Sequence, residues 1–237
     1  SYNFADTAER NHYENVMFSN DAFDIADYLA YFEYKRRQAL PVDYDKLEEV
    51  LMRGLEPDDE VSPERMSHDE RDSKLPPPPE STAPPINLNG EKFRRRYFSP
   101  QGGILDAWVR AIFAAESSVR IAMFGFYSRD VADALVQTVM QAKRTGKALA
   151  IQLVLDAGQS TLAKFDGIPV NQWFAQNGFD VRLVAGPNED GDPMYEKQHN
   201  KFMIVDDQLL MTGSFNLSPT AENFSFENSN LTTDSIA

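Results

Sequence analysis

One tract that can join neither a helix nor an inner strand divides this 237-residue chain: Leu75-Pro76-Pro77-Pro78-Pro79-Glu80-Ser81-Thr82-Ala83-Pro84-Pro85. Each proline lacks a backbone N–H and fixes its own φ, so the run favours extended polyproline geometry. Upstream of it, Asp43 to Asp72 holds twelve acids against four bases, which accounts for −8 of the formal net charge of −14. Together these stretches read as an acidic, Pro-rich linker over residues 41–92. Within it, Tyr44 to Leu55 has the spacing of a short helix, with Leu47, Val50 and Leu51 on one face. The linker leaves two unequal pieces. Residues 1–40 are too few to build a core alone, and residues 93–237 are the size of a domain.

The larger piece alternates between helical and strand-like patterns. Ile104, Leu105, Trp108, Ile112 and Phe113 recur at helical spacing and predict a helix over 103–116. Val119 to Phe126 reads as a strand. Asp130 to Lys143 reads as a helix stopped by Thr145-Gly146, and Leu149 to Leu155 as a second buried strand. A short helix over 169–177 and a strand over Asp180–Val184 follow. Phe202–Val205 and Gln208–Thr212 read as two further strands joined at Asp206-Asp207. Such alternation predicts an α/β fold with a parallel or mixed sheet flanked by helices.

There is no cysteine, and the three histidines are His12, His68 and His199. Disulfides, thiolate zinc sites and thiol nucleophiles are excluded, and no metal or other cofactor is expected. No apolar run is long enough to span a bilayer, so the chain is expected to be soluble or peripheral to a membrane.

Chemistry gathers near the C-terminus. His199-Asn200-Lys201 leads into the apolar Phe202-Met203-Ile204-Val205 and then Asp206. Side chains two apart on a strand share a face, so His199 and Lys201 are expected to point the same way, and so are Ser214 and Asn216. Glu227 and Asn228 follow. Lys and Asn bind non-bridging phosphate oxygens, His attacks phosphorus, and Glu fixes the tautomer of a histidine.

The set resembles the signature of the phospholipase D superfamily: His-x-Lys-(four residues)-Asp, then Gly-Ser-x-Asn, then Glu-Asn. The spacings are 17 from His199 to Asn216 and 28 from His199 to Glu227. Phe98-Ser99-Pro100 is similar to the usual start of such a domain. The resemblance implies that His199 is nucleophile or general acid and that Lys201 and Asn216 hold the phosphate with Ser214 in support. It implies further that Glu227 orients His199 and that Asp206 holds a loop or a neighbouring charge.

The two ends of the chain repeat each other. Ser1-Tyr2-Asn3-Phe4 aligns with Ser214-Phe215-Asn216-Leu217, and Glu14-Asn15 with Glu227-Asn228, at a constant offset of 213. Eight of the first twenty-one positions are identical, against about one or two expected by chance. Residues 1–40 are therefore expected to be the C-terminal end of a first half-domain, closed by a helix over Ala22–Arg37 with Ile25, Leu29 and Phe32 on one face. Residues 93–237 are the second half, nearly whole. A first His-x-Lys is expected upstream of Ser1, and the chain reads as an excerpt of a longer two-signature protein.

In the superfamily two signatures face each other and build one metal-free site through a phosphohistidine. The resemblance thus implies that Asn3 and Glu14, with Ser1 in support, supply the first half's phosphate and orienting groups. A complete site needs the other half or a homodimer. The expected activity is cleavage or transfer of phospholipid phosphodiesters. The alternatives are a nuclease of the same superfamily and a non-catalytic scaffold. The net negative charge weighs against nucleic acid, and Lys92-Phe93-Arg94-Arg95-Arg96 is the one dense basic cluster, either a solvated edge or an anion contact.

Overall fold

The computed structural model describes residues 12–38, 76–185 and 197–233. Ser1, Asn3, the Tyr44–Leu55 segment and most of the acidic linker lie outside the described residues. The elements before the main domain are β1 (His12–Tyr13) and α1 (Ala22–Gln38). The domain then runs β2 (Ile86–Leu88), β3 (Glu91–Phe93), β4 (Arg96–Phe98), α2 (Ile104–Phe113), β5 (Ser118–Met123) and α3 (Arg129–Arg144). It continues through β6 (Ala150–Asp156), α4 (Gln159–Leu162), β7 (Lys164–Phe165), β8 (Ile168–Pro169), α5 (Val170–Gln176) and β9 (Asp180–Val184). It closes with β10 (Lys197–Gln198), β11 (Lys201–Val205), β12 (Leu209–Gly213), α6 (Pro219–Asn223) and β13 (Asn228–Thr232).

Seven strands form one sheet in the order β4-β13-β12-β11-β5-β6-β9. The pairs β5–β6 and β6–β9 are parallel, and the other four are antiparallel. The expected mixed α/β architecture is therefore the architecture of the chain. Alternate strand residues put Val119, Ile121, Leu153, Met203, Val205 and Met211 on one buried face, against Trp108 and Ile112 of α2 and Leu135 of α3. Local chemistry sets the helix ends. Ser128 caps α3 by accepting from the Val131 N–H at 3.3 Å, and the Glu222 carboxylate accepts from Gly103 and Leu105 N–H at the start of α2.

The expected helices and strands appear within a few residues of their predicted bounds, with three differences. First, the folded domain begins before residue 93. Ile86 and Leu88 are buried with Asn87 exposed between them, and Asn89-Gly90 turns the β2–β3 hairpin with φ of 50° and 92°. Proline density hid this short period-2 signal. Second, β5 stops at Met123 rather than Phe126. Beyond it the backbone leaves the sheet, bonding Phe124 N–H to Asn200 O and Tyr127 N–H to Leu217 O.

Third, α1 buries a different face from the one its apolar spacing predicts. Ile25, Leu29 and Phe32 are 49%, 60% and 59% exposed, whereas Asp27, Tyr31 and Tyr34 are buried. The Tyr31 hydroxyl lies 2.8 Å from Ser99 O and 3.2 Å from Glu227 O, and its ring stacks on Phe98 at 4.1 Å. Arg96 of β4 pairs with Asp24 and Asp27 of α1, and Asp27 also accepts from Ser81 Oγ and from Thr82 N and Oγ1. Helix α1 thus docks on the edge of the main sheet through polar and aromatic groups.

The same contacts decide the basic cluster. Arg94 pairs with Glu80 at 3.0 Å, Arg95 Nε donates to Pro84 O at 3.2 Å, and Arg96 is buried. Arg96 is thus committed to α1, while Arg94 and Arg95 are half-buried against a neighbouring acid and carbonyl and Lys92 is exposed.

Candidate active site

His199 follows β10, which pairs in parallel with β1 in the register His12↔Lys197 and Tyr13↔Gln198. One step further along each strand, Glu14 meets His199. The Glu14 Oε1–His199 Nδ1 distance is 2.7 Å, and the two side chains are 4% and 17% exposed. A carboxylate only accepts, so Nδ1 carries the hydrogen and the neutral ring's lone pair is on Nε2. The expectation that Glu227 orients His199 is thereby corrected: the carboxylate at Nδ1 comes from the other repeat. His199 also lies before β11 rather than on it, so β1–β10 pairing, not the pleat, places it.

Lys201 opens β11 on its buried face and is 3% exposed. Its Nζ donates to His199 O at 2.6 Å and lies 5.2 Å from the centre of the Phe124 ring. Phe124 meets the His199 imidazole edge-on at 4.8 Å. Burial pushes the Lys201 ammonium down to about 8, against the pull of the Glu14, Glu227 and Asp156 carboxylates. Glu227 is raised from its ordinary value by burial, opposed by the Ser214 hydroxyl and by Lys201.

The signature's second and third parts are locked to each other. Ser214 Oγ accepts from Asn228 N and Nδ2 at 3.2 and 3.3 Å. A Cβ on Gly213 would stand 2.0 Å from Asn228 O, so only glycine fits there. Ser99 clasps Glu227 from both sides: its Oγ accepts from Glu227 N and its N–H donates to Glu227 O, each at 3.0 Å. Asn216 accepts through Oδ1 from Gly125 N–H at 3.1 Å.

Asp206 sits at the far end of β11, roughly 17 Å along the strand from Lys201 at ordinary rise per residue. It accepts from Glu116 N, from Ser117 N and Oγ, from Ser118 N and from Asn89 Nδ2, all at 2.7–2.8 Å. Burial raises this carboxyl, but the three backbone N–H groups together outweigh it and hold the group below its ordinary value. It organises the 116–118 turn. Two residues that the motif spacing did not flag stand at the site: Phe124, and Asp156, a buried carboxylate at the end of β6 that accepts from Gln198 N at 3.0 Å. The signal for Asp156 was an acid ending an apolar strand. No acidic or histidine cluster able to hold a metal ion occurs among the described residues.

A family model described as cardiolipin synthase, PLD-like domain, matches residues 108–236, which include His199, Lys201, Asn216 and Glu227. The chain belongs to the phospholipase D superfamily. Among solved structures, the phospholipase D family member Nuc from Salmonella typhimurium is 28% identical, covering 57% of this chain and 79% of that one with a TM-score of 0.46. NucT from Helicobacter pylori is 24% identical, covering 59% and 85% with a TM-score of 0.47. Phosphatidylserine synthase from Haemophilus influenzae is 17% identical, covering 62% and 39% with a TM-score of 0.40. The search of curated proteins returned no match. Superfamily members are phosphodiesterases, and no helix among the described residues is long and apolar enough to cross a membrane.

The buried lysine makes a pH dependence expected. Lys201 is cationic below about 8 and neutral above it, so a phosphate held by Lys201 would be bound more weakly as pH rises through that value. The kcat/KM of a phosphodiester substrate should decline along the same limb, since that ratio reports free-enzyme groups. Lys201→Arg should keep its charge and flatten the limb even if slower. An alkaline limb unchanged in Lys201→Arg would remove Lys201 from the binding step.

Proposed function

We propose that the protein cleaves or transfers phospholipid phosphodiesters through a phosphohistidine, with His199 as one of two histidines at a site shared by two signature halves. The observation that carries this is the Glu14–His199 contact, which joins the two copies of the repeat. Under the 213-residue offset Glu14 corresponds to Glu227, so Glu227 would hold the Nδ1 of the other half's histidine in the same way. One Nε2 attacks phosphorus as the P–O bond to the leaving group breaks, and the other histidine delivers its proton to the departing oxygen. Water or an alcohol, deprotonated by that second histidine, then displaces the phosphohistidine. Lys201 and Asn216, with Asn3 from the first copy, would neutralise the non-bridging oxygens. Ser214 supports Asn228 and Glu227 from behind.

The partner half, whether upstream in the same chain or from a second copy, would cover the apolar surface that α1 leaves open. Val16, Met17 and Phe18 are exposed beside Ile25, and a groove of about 670 Å³ opens there. A lipid rather than a nucleic-acid substrate is favoured by the chain's net charge of −14 and by Arg96 of its one dense basic cluster being buried against Asp27, because a phosphate backbone needs a basic track. The full-length protein should release headgroup from phosphatidylglycerol or phosphatidylcholine vesicles and leave DNA and RNA intact. Cleavage of nucleic acid with intact lipid would replace this substrate with a nuclease's.

A further inference from the structure

The loop that leaves β5 touches every described part of the signature that handles phosphate. Phe124 meets His199 and Lys201, and the next residue, Gly125, donates its N–H to Asn216 Oδ1 at 3.1 Å. Gly125 O accepts in turn from Leu217 N at 3.0 Å, so the loop is bonded both to Asn216 and to the residue after it.

An amide side chain has one accepting end and one donating end. An unfixed Asn216 would present either end to a ligand, and the carbonyl end would repel a phosphate oxygen. A backbone N–H can only donate, so the atom it holds must be Oδ1. Nδ2 is then turned away from Gly125 as the free donating end. Gly125 is not needed for its backbone angles, because its φ lies outside the left-handed region. It is needed for space. A Cβ there would stand 3.1 Å from Tyr127 Cε2 and 3.2 and 3.3 Å from Asn216 Oδ1 and Cγ. Any side chain would press on the amide that the N–H holds.

We infer that Gly125 is a positioning residue of the phosphate site: it fixes the Asn216 amide with its donor end toward the scissile phosphate, and its missing side chain is what permits the close approach. This rests on the reading of Asn216 as a phosphate ligand. It adds a residue that lies 74 positions before His199 and outside the three-part signature.

The experiment is a double-mutant cycle in the full-length protein, using bis(p-nitrophenyl) phosphate, a phosphodiester that is neither lipid nor nucleic acid. Gly125→Ala should lower kcat/KM by roughly ten- to hundredfold, the scale of an ångström-sized misplacement, with an unchanged thermal midpoint. In an Asn216→Ala background the same substitution should cost less than about twofold, since groups acting as a unit are not additive. Equal losses in both backgrounds, or full activity in Gly125→Ala, would overturn the inference. If Gly125→Ala does not fold, Asn216→Asp decides. It keeps the acceptor for Gly125 N–H but loses the donor, so it should fold normally and lose about a hundredfold or more in activity. Retained activity there would overturn the role of Nδ2. Wild-type protein inert toward every phosphodiester would instead sink the proposed function, which separates the two failures.

Discussion

Replacing His199 with alanine is expected to lower phosphodiester turnover by about 10⁴-fold or more and to leave the protein folded. The size follows from chemistry: whether His199 attacks phosphorus or protonates the leaving oxygen, no other group at the site does that work. The stability side follows from position. The imidazole is 17% exposed in the loop between β10 and β11 and stands outside the main hydrophobic cluster, so its loss should change unfolding free energy by no more than about 1 kcal/mol. Glu14→Gln sharpens the test. It keeps an acceptor for Nδ1 but removes the negative charge that stabilises an imidazolium, so a loss of about a hundredfold or more is expected. Steady-state rates and a denaturant melt on the three proteins check this. More than a few per cent of wild-type turnover in His199→Ala would take the catalytic role away from His199.

The second large effect is on stability. Arg96→Leu should cost about 3 kcal/mol, because it strands buried acids after removing their cation. Arg96 is 6% exposed at its side chain, and Asp27 opposite it is 0% exposed. Asp27 keeps its bonds from Ser81 and Thr82, which holds the cost at the lower end of the range for a broken buried pair. Adding Asp27→Asn to Arg96→Leu should restore part of the loss, since the uncompensated charge is then gone. Urea unfolding of the single and double variants reads this directly. A single variant as stable as wild type would show that α1 does not depend on the pair. Function should fall with stability, because α1 and the segment before it bring Glu14 to His199.

Much of the fold was written in local patterns. The apolar spacing of Ile104, Trp108 and Ile112, and the run Leu149–Leu155 ending at a polar residue, each mark an element by its own residues. The β2–β3 hairpin was hidden because Ile86 and Leu88 offer just two buried positions beside a proline tract. The buried face of α1 was hidden for a different reason. Its apolar residues are real, but its polar residues Asp24, Asp27, Tyr28 and Tyr31 meet Arg96, Ser81, Thr82, Asn230 and Ser99, groups distant in sequence that no helical period can reveal.

The site divides along the same line. Residue types and their spacing marked the candidate groups: His199, Lys201, Asn216 and Glu227 stand at intervals spanned by β11, β12 and the short helix α6. The tertiary structure alone decided which group serves which. Parallel pairing of β1 with β10 brings Glu14, 185 positions away, to within 2.7 Å of His199, where the motif spacing had placed Glu227. Burial in the packed sheet, outweighing the Glu14, Glu227 and Asp156 carboxylates, lowers Lys201 to about 8. A short contact between distant residues depends on register and packing, and a sequence read along its length carries neither.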